Sequence, residues 1–397
     1  MMCPAVKTKR RKICVVTTSR ADFGLLTGLI RAIKDDPALQ LQLVVAGMHL
    51  SRTFGSTVRD IETEGFRIAR RIPMRMEGGS AVANLHSVSV GLDGFAKAFT
   101  GLKPDILVLL GDRFELFAPA IAALMLGIPI AHIHGGELSE GAIDESVRHA
   151  LTKMATLHFA ATEPYRRRII QMGEAPARVW NFGAPGLDKL YGPGLMTRTE
   201  LERDLGISFR EPVAIVTYHP VTRTAADPES QLRAMVSAIT LSGIRAIFTM
   251  ANADAHGAKI NKRLQALCAA HHDRFIWAPH LGHRRYLSVL RFAAVMVGNS
   301  SSGLTEAPSF HLPVVNIGDR QQGRTRAPNI IDVPCDEAAI LKGIRRALSA
   351  RFRASLRGMR NPYDRSRDGR TSERIKNVLR EVPISNEFLK KRFYDLN

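Results

Sequence analysis

A regular alternation of short apolar runs with longer amphipathic stretches constrains the fold of this chain more than any other feature. The apolar runs are rich in Val, Ile and Leu, as expected for strands buried on both faces of a parallel sheet. The stretches between them place apolar residues at helical spacing. Together they predict βαβ units and an α/β fold with doubly wound sheets. In the first half, the predicted strands are residues 13–17, 41–46, 106–110, 128–133, 157–160 and 179–182, and the predicted helices include 24–34, 114–126 and 145–155.

The pattern is interrupted once and then starts again, which predicts two domains. Residues 183–186 and 192–194 are rich in Gly and Pro, and such clusters mark linkers. A chain of 397 residues is also long for one ordinary domain. We therefore predict two Rossmann-like domains, over residues 1–185 and 186–365, followed by a segment over 366–397. In the second half, the predicted strands are 213–217, 244–249, 275–277, 295–297 and 314–317, and the predicted helices lie near 229–240, 258–270, 284–292 and 371–380.

The charge of the chain allows two interpretations. There are 56 Lys and Arg residues against 37 Asp and Glu residues, which gives a formal net charge of +19. Such a charge fits either a partner that is a polyanion or a basic, soluble surface. We favour the surface, because the charge is spread along the chain. Its densest stretches, residues 7–12 and 342–374, lack the interleaved aromatic residues that single-strand binders use. Nucleic acid is therefore not an expected partner.

The cysteines and the apolar runs indicate the compartment. Cys3, Cys14, Cys268 and Cys335 are scattered, without the spacing of a zinc site or of a disulfide framework. No apolar run approaches the ~20 residues of a membrane span. The run after the basic N-terminal stretch is too short for a signal peptide. We therefore expect a cytoplasmic protein with no metal and no membrane partner.

Ionisable side chains follow the predicted strands of the first half, where ligands bind in doubly wound sheets. Arg20 lies in a loop that opens a helix, where backbone N–H groups and a cation can hold an anion. Asp112 and Arg113 come directly after the strand 106–110. Each signal has a structural alternative, because Arg20 could be a surface residue next to an ordinary N-cap and Asp112 could itself be an N-cap.

The densest cluster follows the next predicted strand. His134 and Glu137 come directly after it, and Asp144 and Arg148 follow at i,i+4 helical spacing. An ordinary capped helix with a surface ion pair is the alternative. The concentration of ionisable groups on two consecutive loops after strands favours acid/base catalysis. Neighbouring carboxylates can have their pKa values pushed apart, which gives one acid and one base.

The second half carries the signals of a nucleotide site. Gly298 and Asn299 follow a predicted strand and lead into three serines, a loop that can cradle a diphosphate with N–H groups and hydroxyls. A plain capping turn is the alternative. The loop is not a Walker A sequence, because no Gly-Lys-Ser/Thr follows it. His219 and Asn252 each follow a strand, and Arg320 could add a cation.

Taken together, these motifs resemble those of the hydrolysing UDP-N-acetylglucosamine 2-epimerases, which feed sialic-acid and related nonulosonic-acid synthesis. The resemblance covers residues 12–380, approximately, and the motifs keep the family's order and spacing. It implies a GT-B-type fold, with two Rossmann-like doubly wound domains that face a cleft, usually in dimers or tetramers. It also implies that the segment 366–397 is a helix that crosses back to the first domain. The motifs are Ser19-Arg20-Ala21-Asp22, Gly47-Met48-His49, Gly111-Asp112-Arg113, His132-Ile133-His134-Gly135-Gly136-Glu137, Ile143-Asp144-Glu145, Arg148-His149, Gly298-Asn299-Ser300-Ser301-Ser302-Gly303, Gly318-Asp319-Arg320-Gln321 and Asn361-Pro362-Tyr363.

The implied reaction converts UDP-N-acetylglucosamine and water to UDP and N-acetylmannosamine. UDP is eliminated to leave a glycal, and water then adds with inversion at C2, with no metal or redox cofactor. By the same resemblance, Asp112 and Asp144 belong to the acid/base set, with Arg113 and Arg148 beside them. Cations and N–H groups would stabilise the departing diphosphate. The implied substrate- and UDP-binding residues are Arg20, His219, Asn252, His280, Ser300, Ser301, Glu306 and Arg320.

One position departs from part of the family. Some members, including the animal sialic-acid enzyme, have a catalytic Glu where this chain has His134, so His134 or Glu137 would serve here. The His form also occurs in relatives that act on UDP-2,4-diacetamido-trideoxyhexose of the legionaminic-acid route, which makes that sugar a second candidate substrate. A non-hydrolysing 2-epimerase or a GT-B glycosyltransferase is a further alternative. A nucleic-acid-binding protein, indicated only by the charge, leaves the acidic cluster unexplained.

Overall fold

The chain divides into two compact units, each of them an α/β domain around one parallel sheet. Two α/β units confirm the predicted fold class. Unit 1 comprises Met1–Glu137, Ile143–Lys189 and Arg365–Asn397, and unit 2 comprises Leu138–Ala142 and Leu190–Asp364. The structure, a computed structural model, describes residues 10–51, 56–76, 80–140, 143–192, 194–219, 227–251, 257–279 and 281–396.

Seven parallel strands form the sheet of unit 1. They are β1 Arg11–Thr17, β2 Leu39–Ala46, β3 Ile68–Ile72, β4 Ile106–Leu110, β5 Ile130–Ile133, β6 Leu157–Ala160 and β7 Val179–Asn181. Their order is β3-β2-β1-β4-β5-β6-β7, so the order reverses between β1 and β4. Loops at such a switch point are the usual ligand site of a doubly wound sheet. Strands β4, β5 and β6 are buried along their whole length, which explains their continuous apolar sequence.

The helices of unit 1 cover both faces of this sheet. They are α1 Arg20–Asp35, α2 Val58–Thr63, α3 Ala81–Leu102, α4 Phe117–Met125, α5 Ile143–Met154, α6 Glu163–Gln171, α14 Thr371–Glu381 and α15 Asn386–Leu389, numbered along the chain. Helix α1 begins at a capping box between Ser19 and Asp22. Helix α14 packs against α1 and buries Ile375 and Leu379 in the same core as Leu26.

Six parallel strands form the sheet of unit 2. They are β8 Val213–Thr217, β9 Arg245–Phe248, β10 Phe275–Trp277, β11 Val295–Gly298, β12 Val314–Ile317 and β13 Ile330–Val333. Their order is β10-β9-β8-β11-β12-β13. The switch point therefore lies between β8 and β11, and the loops that follow these two strands contain His219 and the serine run.

The helices of unit 2 include one of a single turn, which follows the serine run. They are α7 Arg198–Leu205, α8 Pro228–Leu241, α9 Gly257–Ala270, α10 Gly282–Phe292, α11 Ser302–Thr305, α12 Glu337–Leu348 and α13 Ala350–Ser355. Helix α11, after the serine run, is a single turn that gives way to a 3-10 turn at Ala307–Phe310. Pro308 lacks an N–H group and cannot continue an α-helix. The contribution of a helix dipole to anion binding at this loop is correspondingly small.

Some elements differ from the sequence-based expectation. The predicted helix 114–126 begins as a 3-10 turn at Phe114–Leu116, and the α-helix starts at Phe117, which places Pro119 in its first turn, where proline is tolerated. Strands β3 and β13 and helices α3 and α12 were not predicted. Across the described ranges, no helix has the length and apolarity needed to span a bilayer.

Candidate active site

At the carboxyl end of β4, Asp112 forms an ion pair with Arg148 of α5. Arg148 Nη2 donates a hydrogen bond to Asp112 Oδ2. The Arg148 side chain is 3% exposed and that of Asp112 is 25% exposed, so the guanidinium is buried while the carboxylate keeps an open side. Gly111 has a φ of +90°, which residues with a Cβ rarely adopt, and it leads the chain from the strand into Asp112. The pair fixes β4 and α5 relative to each other.

Asp144 lies one helical turn before Arg148 on α5 and is half-buried. Its neighbour Glu145 approaches Arg148 Nη1 at 3.9 Å through one oxygen and His149 Nε2 at 3.0 Å through the other. The helix dipole favours negative charge in the first turn. Helix α5 therefore carries two carboxylates at its N-terminal end and a buried cation one turn later.

Arg113 is held by Glu115, a fully buried carboxylate. Arg113 Nε and Nη2 donate to Glu115 Oε1 at 3.1 and 2.7 Å. Arg113 Nη2 also lies 3.4 Å from the sulfur of Met48. Glu115 is 0% exposed, and its second oxygen has no hydrogen-bond partner among the described residues. The sequence did not assign a role to Glu115; its only signal was an acid two residues after Arg113 in an otherwise apolar stretch.

After β5, His134 and Glu137 form a buried dyad. His134 Nδ1 lies 2.5 Å from Glu137 Oε1, and the two side chains are 11% and 2% exposed. His134 Nε2 is buried and has no hydrogen-bond partner in the described part of the chain. Because a carboxylate can only accept, Nδ1 carries a proton, and Nε2 is the acceptor of the ring in its uncharged form. This is the arrangement of a histidine prepared to take up a proton.

The loop after β5 holds the dyad by tight backbone packing. His134 itself has a φ of +65°, which is uncommon for a residue with a Cβ. Gly136 has a φ of +73°, and a Cβ there would lie 2.5 Å from the carbonyl oxygen of Tyr165. A Cβ at Gly135 would lie 3.0 Å from Thr152 Oγ1. Gly136 is therefore required by the close approach of this loop to Tyr165, and Gly135 allows tight packing against Thr152.

His132 lies on β5, two residues before His134, and connects the loops of the site through hydrogen bonds. Its Nε2 lies 2.8 Å from the carbonyl oxygen of Gly111, and its Nδ1 lies 3.2 Å from Thr152 Oγ1. Thr152 Oγ1 also lies 2.9 Å from the carbonyl oxygen of Arg148. Complete burial lowers the pKa of His132 to about 4, so the ring is neutral near pH 7. It serves as a fixed hydrogen-bonding bridge between β4, β5 and α5.

Arg20 lies after β1, and the loop around it is organised by Asp22. Arg20 is 41% exposed, and its Nε lies 4.0 Å from Asp60. Asp22 is buried and accepts hydrogen bonds from Thr17 Oγ1 at 2.5 Å and from the Thr18 backbone at 2.9 Å. His49 lies 3.8 Å from the same carboxylate. The sequence signal for Asp22 was its capping-box spacing, three residues after the N-cap.

The serine loop of unit 2 is anchored by Asn299. Asn299 is fully buried; its Oδ1 accepts from the His219 backbone N–H at 2.7 Å, and its Nδ2 donates to the His219 carbonyl at 2.8 Å. Gly298 has a φ of +137°, and a Cβ there would lie 1.9 Å from the carbonyl oxygen of Thr217. The loops after β8 and β11 are thus locked to each other, and position 298 excludes any side chain.

Arg320 and Gln321 bind the same loop from the end of β12. Arg320 Nη1 and Gln321 Nε2 donate to the carbonyl oxygen of Asn299 at 3.2 and 2.8 Å. Burial and, secondarily, the charge of Arg320 lower the pKa of His219 to about 3, so this histidine is neutral near pH 7. Gln321, which had no predicted role, is the second support of the loop.

The remaining predicted residues fall into two groups. Ser300 and Ser301 are half-buried in the serine loop, and Glu306 follows one turn later. Ser300 Oγ accepts a hydrogen bond from the Ser302 N–H at 3.3 Å. Asn252 and His280 lie outside the described residues.

The structure therefore places those predicted residues that it describes on segments that follow the carboxyl ends of strands in two sheets, one in each unit. Unit 1 brings together the acids, bases and arginines after β4 and β5, and Arg20 follows β1. Unit 2 brings together His219, the serine loop and Arg320 after β8, β11 and β12. Within the described ranges, no group of three or more His, Cys, Asp or Glu side chains is arranged to hold a metal ion.

The sequence model of the UDP-N-acetylglucosamine 2-epimerase family matches residues 31–380. The GDP/UDP-N,N'-diacetylbacillosamine 2-epimerase (hydrolysing) of Campylobacter jejuni is 40% identical over 81% of this chain and 84% of its own. The UDP-N,N'-diacetylbacillosamine 2-epimerase (hydrolysing) of Legionella pneumophila is 36% identical over 96% of this chain and 98% of its own.

Among solved structures, the fold resembles that of a UDP-GlcNAc 2-epimerase from Neisseria meningitidis, which was crystallised with UDP-GlcNAc bound. The TM-score is 0.78, at 16% identity, over 93% of this chain and 99% of that one. At this identity the likeness concerns the fold alone, and it supports a GT-B-type architecture of two parallel sheets.

Proposed function

This chain belongs to the UDP-N-acetylglucosamine 2-epimerase family, and from that premise we propose that it is a hydrolysing 2-epimerase of a UDP-linked 2-acetamido sugar. The products are UDP and the free sugar with inverted configuration at C2. The observation that carries the proposal is the 40% identity to a hydrolysing 2-epimerase over 81% of this chain. The buried His134–Glu137 dyad after β5 and the Asp112–Arg148 pair after the neighbouring strand β4 supply groups suited to the proton transfers.

As the substrate we propose UDP-N,N'-diacetylbacillosamine, a 2,4-diacetamido-trideoxy sugar nucleotide. The relative at 36% identity is named for this substrate, and the relative at 40% identity is named for the GDP- or UDP-linked form of the same sugar. The sequence motifs pointed first to UDP-N-acetylglucosamine, which is now the second candidate. Since both sugars carry the same UDP and the same 2-acetamido group, one mechanism applies to both.

The reaction needs two proton transfers at C2, on opposite faces of the sugar. In the first step a base removes the C2 proton while the bond from C1 to the diphosphate oxygen breaks, so UDP leaves with the electron pair and a glycal remains. In the second step water adds its hydroxyl to C1, and an acid returns a proton to the other face of C2. Two groups in different protonation states are therefore required.

We assign one of these transfers to His134. Its Nε2 is a buried acceptor, and Glu137 holds the ring from the opposite side. A carboxylate behind an imidazole fixes the tautomer and stabilises the imidazolium that forms when the ring takes up a proton. Glu137 therefore acts through His134, which stands where, by the resemblance, some family members have a catalytic glutamate.

We assign the second transfer to the carboxylates after β4 and at the start of α5. Asp112 keeps an open side while Arg148 binds its Oδ2, and Asp144 lies one turn away on α5. Arg113, oriented by Glu115, supplies positive charge near the same strand end. Asp112 and Asp144 are the proposed second acid/base set.

As UDP-binding elements we propose the loops after β8, β11 and β12, and, from the resemblance, Arg20. Negative charge builds on the diphosphate as the C1–O bond breaks, and Arg20, Arg320 and the serine hydroxyls would stabilise it. His219 is neutral, so its contribution would be a hydrogen bond rather than a charge. The further proposed contacts are from Asn252, His280, Ser300, Ser301 and Glu306. A homo-oligomer, a cytoplasmic location and a reaction without metal or redox cofactor complete the proposal.

Product analysis by NMR tests the reaction and the substrate together. The enzyme is incubated in D₂O with UDP-N,N'-diacetylbacillosamine and, in parallel, with UDP-N-acetylglucosamine. We expect free UDP, a free sugar with inverted C2 and one deuterium at C2, at a higher kcat/KM for the diacetamido sugar. A sugar that stays attached to UDP would identify a non-hydrolysing enzyme. Higher kcat/KM for UDP-N-acetylglucosamine would overturn the substrate assignment.

A further inference from the structure

Unit 1 contains a buried charge cluster that the proposed reaction does not use. Its centre is Glu174, 2% exposed, between α6 and β7. One of its oxygens accepts from Lys153 of α5 at 2.6 Å, and the other lies 3.0 Å from His158 Nε2 of β6 and 2.8 Å from Lys391 Nζ. Burial opposes ionisation of Glu174, but the three donors outweigh it and lower its pKa to about 2. The carboxylate is therefore charged throughout the physiological range.

Lys391 joins this cluster from a distant part of the sequence. Besides Glu174, its ammonium donates to the carbonyl oxygens of Lys153 at 2.6 Å and Ala155 at 2.7 Å. Lys153 lies in the last turn of α5 and Ala155 directly follows its last residue, Met154, so neither carbonyl has a partner within the helix. All three N–H donors of Lys391 are thus used, and a cation lies where the helix dipole favours one.

The residues before and after Lys391 also make specific contacts with other elements of unit 1. The Phe393 ring lies 5.0 Å from Lys153 Nζ and covers Gly173, where a Cβ would come within 2.3 Å of the ring. The Tyr394 N–H donates to the Gly173 carbonyl at 2.9 Å. Phe388 is buried in the core of unit 1, with Arg178 4.8 Å from its ring. Contacts on both sides of Lys391 therefore hold residues 385–396 against the rest of unit 1.

Helix α5 connects this cluster to the active site. Its N-terminal turns carry Asp144 and Arg148, Thr152 of its last turn contacts His132, and Lys391 binds the carbonyls of Lys153 and Ala155 at its end. We infer that Lys391 and the segment 385–396 position α5, and through it Asp144 and Arg148, for the reaction. A helix is stiff along its axis, so holding one end sets the position of the other. The inference rests on the proposed function and assigns Lys391 as a positioning residue, because it touches no reacting atom.

A cluster that served only general stability would behave differently. Loss of Lys391 would then lower the free energy of unfolding and leave the rate of the folded enzyme unchanged. A positioning role instead lowers kcat at a temperature where the variant is fully folded, because displacement of a catalytic group by about 1 Å can cost on the order of 100-fold in rate. It leaves KM nearly unchanged, since the UDP contacts lie on other elements.

The test compares Lys391→Met with Lys390→Met. Lys390 is 68% exposed and lies 3.4 Å from Glu387, so its replacement removes the same charge one residue away without touching the cluster. We expect kcat of Lys391→Met to fall on the order of 10-fold, with KM within about 2-fold. Lys390→Met should keep the wild-type kcat. Lys391→Arg, which keeps a cation for Glu174 and the two carbonyls, should recover part of the loss.

Hydrogen–deuterium exchange gives a readout that does not depend on turnover. The backbone amides of α5 should exchange faster in Lys391→Met than in Lys390→Met, while those of the unit 2 sheet stay unchanged. Equal exchange of α5, or a kcat of Lys391→Met within 2-fold of that of Lys390→Met, would overturn the inference. If the wild-type enzyme turns over neither UDP-sugar, the proposed function fails, and the exchange of α5 still decides whether Lys391 holds this helix.

Discussion

The loop after β5 in unit 1 and the loop after β11 in unit 2 both follow buried strands, but they present opposite kinds of chemistry. The first presents ionisable side chains, with His134 and Glu137 paired 2.5 Å apart. The second presents backbone groups, serine hydroxyls and an amide, with Asn299 locked to the backbone of His219. Proton transfer requires side chains that gain or lose a proton. Binding of a diphosphate requires hydrogen-bond donors whose charge stays constant.

The two loops also depend on glycine in different ways. Gly135 and Gly136 let a crowded, charged loop pack against Thr152 and Tyr165. Gly298 lets the chain pass the Thr217 carbonyl, where no side chain fits. Substitutions in unit 1 should therefore act on kcat through charge, and substitutions in unit 2 should act on nucleotide affinity through shape.

The largest effect is expected from Asp112→Asn and Asp144→Asn. Each change removes a proposed proton-transfer group, so kcat should fall by about 10³-fold, within the range for loss of general acid–base catalysis. The affinity for UDP, measured by calorimetric titration, should stay within about 3-fold, since the proposed diphosphate loops are untouched.

Asp93→Asn is the matched control for both variants, because Asp93 is 67% exposed and pairs only with Lys97 on the same helix among its described contacts. It should retain the wild-type rate. A near-native kcat in Asp112→Asn or Asp144→Asn would contradict the acid/base assignment. Loss of UDP affinity in either would contradict the division of labour between the two loops.

The next largest effect is expected from Gly298→Ala. A Cβ at this position would lie 1.9 Å from the Thr217 carbonyl and would occupy a backbone conformation with φ of +137°, so the serine loop must move. We expect UDP affinity to fall by about 2–3 kcal/mol, on the order of 100-fold in Kd. Gly192→Ala is the control, because a Cβ there meets nothing within 4 Å. An unchanged Kd in Gly298→Ala would show that the loop does not bind the nucleotide.

The sequence predicts the strands and the loops after them, because a strand buried on both faces has a local signature. It misses α3, since Gly91 and Gly94 lower the helical propensity of that stretch. These glycines exist for packing: a Cβ at Gly91 would lie 2.6 Å from the Met74 side chain, and one at Gly94 would lie 2.6 Å from Ile72. It also misses β3, whose residues Arg70 and Arg71 are exposed at the edge of the sheet.

In the candidate site, too, some residues can be predicted from the sequence more readily than others. His134 and Asp112 stand directly after strands, so their place at the sheet edge follows from topology alone. The roles of Glu115 and Lys391 are hard to predict from the sequence, because the energetic effect of a buried charge depends on partners that the fold brings from elsewhere. The sequence therefore gives the groups that face the substrate more readily than the groups that hold them in place.

A smaller effect is expected from Glu137→Gln, which keeps the size of the side chain and removes its charge. His134 would lose the anion that stabilises its protonated form, while the amide oxygen can still accept from Nδ1. We expect kcat to fall about 10- to 100-fold with little change in KM, as for other supporting residues of a reactive group. Glu140→Gln is the control in the same loop, since Glu140 is exposed. Equal rates for the two variants would mean that His134 works without its carboxylate.

The smallest effect concerns stability rather than rate, and it is shared by both units. Burial lowers the pKa of His132 to about 4 and that of His219 to about 3, against 6.5 for an unperturbed histidine. In the unfolded chain both histidines therefore become protonated below pH 6.5. In the folded chain His132 becomes protonated only below about pH 4 and His219 only below about pH 3. The stability that these two neutral rings contribute is complete above pH 6.5 and is lost as the pH falls, by about 1.4 kcal/mol per pH unit for each histidine.

Denaturant unfolding at pH 6 and pH 5, at constant ionic strength, measures this slope. His132→Asn and His219→Asn should each reduce it by about 1.4 kcal/mol per pH unit, whatever their effect on absolute stability, because only the slope counts protons. His272→Asn is the control, since His272 is exposed. If His219→Asn left the slope unchanged, His219 would not be neutral in the folded state. The loop after β8 would then carry a cation toward the proposed diphosphate site, and the contrast between ionisable groups in unit 1 and uncharged donors after β8 and β11 in unit 2 would not hold.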